Sequence, residues 1–202
     1  AVCAAVGATI LGTVAALGIH SMKSWRKKLV MNITNLPMLN PEIVTGVSLM
    51  LLMVFVANLF GVTLGIVSII LAHITFCLPY VILSVLPKLG QMDPHLFEAA
   101  QDLGCTPVRS FFKVVLPEIM SGVITGMVMA FTLSLDDFII SYFCSGTTQT
   151  LPVFIYSMTK KRVSPEINAL STLLFAVILV LLLIINIRQG RMGKKAKKEA
   201  DV

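Results

Sequence analysis

Residues 43–87 read IVTGVSLMLLMVFVANLFGVTLGIVSIILAHITFCLPYVILSVLP, forty-five positions without Asp, Glu, Lys or Arg. About 20 apolar residues cross a bilayer as a helix, so the run is long enough for two spans. Asn58 and Gly61 interrupt it near the middle, which predicts a helical hairpin with spans over about 41–58 and 62–86. The first of these is opened by Asn40, Pro41 and Glu42, read as N-cap, first helical position and an acid suited to the helix dipole. Working outward, three further spans are expected at about 2–19, 119–140 and 166–187, the last opened by Ser164, Pro165 and Glu166. A backbone in hydrocarbon must satisfy its own hydrogen bonds, and the alternation of a barrel is missing, so the expected fold class is all-α, a polytopic helical membrane protein. Composition agrees. At 56% hydrophobic, 13% charged and mean hydropathy +0.91, the 202 residues carry more apolar surface than a soluble domain of this size buries.

Five spans put the two ends of the chain on opposite faces. Lys23, Arg26, Lys27 and Lys28 follow the first span, Lys88, Arg109 and Lys113 lie in the loop after the third, and six basic residues fill the tail 188–202. Only Lys160, Lys161 and Arg162 fall on the other side, so the positive-inside rule places the loop and the tail in the cytoplasm. The chain begins without Met and already inside an apolar run, which leads us to expect a missing N-terminal piece and a sixth span. Cys3, Cys77, Cys105 and Cys144 form no CxxC pair and read as small buried hydrophobes, so no metal site is expected. No nucleophile–base constellation is present, so no catalytic residue is expected. The basic tail suits membrane orientation and anionic lipid rather than nucleic acid.

The loop 93–117, DPHLFEAAQDLGCTPVRSFFKVVLP, is too long and too patterned for a plain connection. Asp93 caps and Pro94 opens a first short helix that Gly104 stops. Thr106 and Pro107 start a second, with Val108, Phe111, Phe112 and Val115 at helical spacing, which is expected to end before Pro117. The functional reading of this helix-Gly-helix elbow is a docking surface; the plain one is an amphipathic surface helix. No Gly-x4-Gly-Lys-[Ser/Thr] phosphate loop occurs, so no nucleotide cofactor is expected in this chain.

The spacing Glu98-Ala99-Ala100, Gly104, then Val114-Val115-Leu116-Pro117 resembles the EAA loop of ABC importer permeases. Val114 departs from the Ile usual there, and Ser121 from a second proline. The resemblance implies that Glu98, Ala99, Ala100, Gly104, Phe111, Leu116 and Pro117 dock a separate ATPase dimer, which holds the ATP-Mg. It extends over most of the chain to the C-type permease of spermidine/putrescine importers, through His73-Ile-Thr-Phe-Cys-Leu-Pro79-Tyr80, Ser134-Leu-Asp136-Asp137, Leu151 to Met158 and Ser164 to Leu170. It implies a six-span permease fold in a bacterial inner membrane, a related B-type permease as partner, an external substrate-binding protein and polyamine as cargo. Permeases for ferric iron, thiamine or phosphonate share the elbow, and a secondary transporter is the remaining alternative.

The residues themselves suggest where a cation would pass. Asp136 and Asp137 are the acids of the fourth span's run, about 20 residues or roughly 30 Å of helix beyond Pro117, hence near its outer end. Gly126, Ala130, Ser134, Asp137 and Ser141 share one face at helical spacing, and Asp136 points about 100° away. Read functionally, Asp137, Asp136, Glu42, Ser134 and Tyr142 line a cation pathway, with Tyr80, Tyr142 and Tyr156 offering aromatic faces. Read plainly, Gly122 and Gly126 head a small-residue packing face, the acids cap it, Glu42 serves the helix dipole and the tyrosines anchor at the interface. His73 reads as a packed or partnered histidine rather than a proton relay.

Overall fold

The computed structural model describes residues 1–61, 63–93, 95–160 and 165–200, the side chains of 166–167 and 185–200 excepted. Val62, Pro94, Lys161, Arg162, Ser164 and the side chains of Glu166 and the basic tail, on which parts of the sequence reading rest, lie outside the described residues. Every secondary-structure element among the described residues is a helix, and none is a strand. It divides into two compact units, Ala1–Pro152 and Val153–Val202.

In the first unit α1 (Val2–His20) and α4 (Ile66–Gln91) pack side by side, and α4 packs in turn on α7 (Leu116–Asp136). Small residues allow the approach. Ala4, Ala8, Gly12 and Ala16 fall at every fourth position of α1 and are buried, and a Cβ at Gly12 would stand 2.7 Å from Val81 of α4. On α7, Gly122 and Gly126 lie against Ser84 and Val81, and further along the Cys77 thiol donates to the Ala130 carbonyl at 3.5 Å. Close van der Waals packing of small residues is what holds membrane helices together, since lipid tails are as apolar as leucine. Among the described residues four helical runs are long and apolar enough to cross a membrane: α1, α3 (Glu42–Phe60), α4 and the continuous stretch Pro107–Asp136.

Four local expectations change. Residues 24–39, which hold most of the basic cluster and lie outside the expected spans, form a helix of their own, α2 (Ser24–Leu39), although Pro37 interrupts the apolar stretch 29–39. Pro37 sits in its last turn, two residues before the helix ends, so it removes one i→i−4 bond, to the Ile33 carbonyl, and interrupts nothing beyond. Asn40 therefore ends α2 in extended backbone (ψ 144) rather than capping α3, which begins at Glu42 behind Pro41. The helix after Thr106 does not stop before Pro117. It passes through α6 (Pro107–Ser110) and one π turn (Phe111–Val115) straight into α7. A proline inside an α-helix strikes the carbonyl four residues back, and the π turn shifts the carbonyl ladder where that clash would fall. Finally, the fourth apolar run is not one helix to residue 140. It breaks at Asp137, whose ψ of 111 turns the chain out before α8 (Ile139–Cys144).

Between α4 and α6 lies α5 (His95–Asp102). The Asp93 carboxylate accepts the His95 N–H at 2.9 Å, which supplies the expected cap. At the other end the Gly104 N–H reaches the Gln101 carbonyl (2.8 Å) and the Cys105 N–H the Ala100 carbonyl (3.1 Å), with Gly104 at φ 85. That is a Schellman ending, which needs a left-handed residue at this position, and glycine adopts it without penalty.

In the second unit α10 (Pro165–Ala200) continues through the basic tail rather than ending near residue 187. The tail is rich in Lys, Arg and Ala, all good helix formers. Its strongly apolar part is Asn168–Ile184. Ahead of it, α9 (Leu151–Thr159) starts in the first unit and ends in the second.

Candidate functional site

Two places in the first unit collect the residues singled out by sequence. One is the break between α7 and α8. There His73 of α4 meets both helices: Nδ1 lies 2.7 Å from Ser134 Oγ, and Nε2 lies 3.1 Å from Ser141 Oγ and 3.5 Å from Asp137 Oδ2. The Asp137 carboxylate also accepts the backbone N–H groups of Ile140 (3.4 Å) and Ser141 (3.3 Å), the geometry of a residue capping α8. His73, Ser134, Asp137 and Ser141 are all buried. With Nε2 protonated, the ring would accept the Ser134 O–H at Nδ1 and present Nε2–H to Ser141 and Asp137. His73, Ser134 and Ser141 line a cavity of about 180 Å³ with Ile69, Leu135 and Thr150.

The stripe Gly126, Ala130, Ser134, Asp137, Ser141 is thus buried along its length, against α4 in its α7 part. Gly122 and Gly126 are packing residues, and Asp137 follows them inward. Asp136 and Tyr142 are exposed. So is Glu42. The basic cluster 23–28 lies at the start of α2, and the rest of that helix, residues 29–39 or roughly 16 Å, separates it from α3. Glu42 stands toward α8. One turn along, Gly46 packs against Ile139 and Phe143, which sets the start of α3 beside the α7–α8 break. Three carboxylates that the sequence separates by almost a hundred positions share one region. Tyr80 is half-buried on α4 and stacks obliquely on Phe76, ring centroids 5.8 Å apart.

The role of His73 as the group joining these elements was the part least visible beforehand. Its partners lie 61 and 68 positions away, and no spacing on its own helix announces them.

The second place is the elbow. Ala100, Ser110 and Val115 are buried, and Phe97, Phe111 and Leu116 pack against the core, so these side chains seat the elbow on the helices. Glu98, Ala99, Gly104 and Pro117 are exposed. Leu103 (87%), Val108 (66%) and Phe112 (60%) are exposed too, although they are large and apolar. The expected single apolar face is therefore two faces: Phe111 and Val115 turn in, Val108 and Phe112 turn out. His95 Nδ1 sits 3.6 Å from Glu98 Oε2, a solvated pair that leaves the carboxylate accessible. No group of three or more His, Cys, Asp or Glu able to hold a metal occurs among the described residues.

Apolar helices bound by small-residue seams, with a structured polar elbow between two of them, define an integral membrane protein with several spans. The chain belongs to the family of binding-protein-dependent transport system inner membrane components, whose pattern it matches over residues 8–198. It is 43% identical over 183 residues to the putrescine transport system permease protein PotI of Escherichia coli, covering 88% of this chain and 65% of that protein. It is 39% identical to the spermidine/putrescine transport system permease protein PotC of Escherichia coli (91% and 68% covered) and 38% identical to PotC of Haemophilus influenzae (90% and 69%). The chain thus spans about two thirds of the length of these relatives.

Proposed function

We propose that this chain is the membrane permease subunit of an ATP-driven ABC importer of polyamines, spermidine or putrescine, and that it supplies half of the translocation pathway. ATP is hydrolysed by a separate ATPase dimer, and a second, B-type permease and an extracytoplasmic binding protein complete the assembly. The chain lies in the inner membrane with the elbow 93–117 and the tail in the cytoplasm. Polyamine cargo is supported by what the relatives are named for, and by the exposed carboxylates of Glu42 and Asp136 near the α7–α8 break, with Tyr142 on α8. Several acids facing one cation stabilise it where water is scarce.

The observation that carries the coupling role is the elbow itself. A Schellman turn at Gly104 holds Leu103, Val108 and Phe112 in the open beside the accessible Glu98 carboxylate. Exposed apolar side chains with a charge at the rim mark a protein-binding surface. Gly104→Asp, which strains the left-handed turn, or Glu98→Lys should leave the subunit in the membrane yet abolish its co-purification with the ATPase. Unchanged assembly together with unchanged ATPase stimulation overturns the docking role. Uptake of labelled spermidine and putrescine delivered by the cognate binding protein tests the cargo.

A further inference from the structure

We propose a division of labour between the two adjacent acids: Asp137 is a pin, held by His73, and its function is to aim Asp136 at the cargo. The inference rests on reading this region as a cation pathway.

A carboxylate that receives a passing cation must be reachable and must have lone pairs to give. Asp137 has neither. It is 8% exposed, it accepts two backbone N–H groups at the start of α8, and its remaining near neighbour is the His73 imidazole. It is committed to the fold as a helix cap. Asp136 is the reverse: it ends α7, its side chain is exposed, and no hydrogen bond or ion pair engages its carboxylate among the described residues. Glu42 faces solvent from the first turn of α3 in the same region.

His73 joins the pieces. One ring nitrogen holds Ser134 in the last turn of α7; the other holds Ser141 on α8 and the Asp137 carboxylate at the joint. A single side chain of α4 therefore spans both sides of the break and fixes the angle at which the chain leaves α7. Asp136 stands at that angle. Loosening the ring lets the joint pivot, and the charge of Asp136 turns with it. His73 is thus a positioning residue, acting on the cargo through Asp136.

The test uses the complete transporter in proteoliposomes, with labelled spermidine and saturating binding protein, and reads cargo moved per ATP hydrolysed. Asp136→Asn should lower that ratio at least fivefold while ATP hydrolysis stimulated by the binding protein persists. Asp137→Asn, which caps a helix as well as aspartate does, should stay within twofold of wild type; should it accumulate poorly, Asp137→Ser, another good cap, decides the same point. His73→Ala should lower the ratio severalfold, His73→Gln should restore part of it, and His73→Ala added to Asp136→Asn should lower it no further. A merely structural defect would reduce uptake and hydrolysis together and leave the ratio unmoved, overturning the positioning role. A loss in Asp137→Asn as large as in Asp136→Asn overturns the division of labour while the acidic pathway stands. Full coupling in Asp136→Asn, Asp137→Asn and Glu42→Gln alike overturns the pathway reading and this inference with it.

Discussion

Gly122 and Gly104 set the α4–α7 seam against the elbow that joins those helices. A Cβ at Gly122 would stand 2.8 Å from the Ser84 carbonyl oxygen and 2.8 Å from Lys88 Cγ, so this glycine provides space. Nothing lies within 4 Å of where a Cβ on Gly104 would be, but its φ is 85, so this one provides a backbone angle. The seam is finished by the chain itself, and its small residues have no room left. The elbow is shaped just as definitely and yet leaves its apolar side chains uncovered. Two kinds of glycine thus separate a surface that is already an interior from one that becomes an interior only against another protein.

Filling the seam should give the largest effect. Gly122→Val places two methyl groups beyond a Cβ that already meets a backbone oxygen, and backbone cannot swing aside as a side-chain end can. Overpacking of this kind costs about 1–3 kcal/mol or more. The subunit should fail to accumulate in the membrane, and what is made should elute as aggregate in detergent. A variant that accumulates and elutes normally would mean that α4 and α7 do not approach so closely.

How far sequence alone could go follows the same division. The charge-free run 43–87, the cap at Asp93 and the left-handed glycine at 104 were legible because each depends on residues within a few positions of one another. The break at Asp137 was not, because the stripe Gly126, Ala130, Ser134, Asp137, Ser141 keeps its spacing across it, and periodicity does not register a ψ of 111. Helix α2 was obscured by its proline, which falls in the last turn. The partners of His73 are distant in sequence, and only the packing of α4 against α7 brings them together. The carboxylates of the candidate site were thus named from sequence, while their grouping needed the fold.

A sharper test contrasts two neighbours on the elbow. Phe111 is half-buried against the core and Phe112 is 60% exposed, so alanine at each should have opposite signatures. Phe111→Ala opens a gap under the elbow and should destabilise it by about 1–3 kcal/mol, below the cost of a fully buried ring. The thermal midpoint of the purified subunit should fall. Phe112→Ala should change stability by less than about 0.5 kcal/mol, as exposed substitutions do, and instead weaken ATPase co-purification. If Phe112→Ala lowers the midpoint and leaves co-purification untouched, the outward face of the elbow is packing and not an interface.

The smallest effect should come from Thr106, inside the elbow, at the head of the helix that runs on into the seam. Its hydroxyl accepts the Arg109 N–H at 3.5 Å, a long bond, and Pro107 already fixes the first helical φ without requiring a cap. Thr106→Ala should therefore cost about 0.5 kcal/mol, the low end for an N-cap, read as faster amide exchange in α6 alone. Exchange in α7 should stay as in wild type even though the helix is continuous from Pro107 to Asp136. The small residues of α7 are clamped on α4, so fraying at Thr106 has no route past the π turn at Phe111–Val115. Faster exchange spreading beyond Pro117 would show that the elbow and the seam unfold as one unit, and the contrast between them would then be one of exposure only.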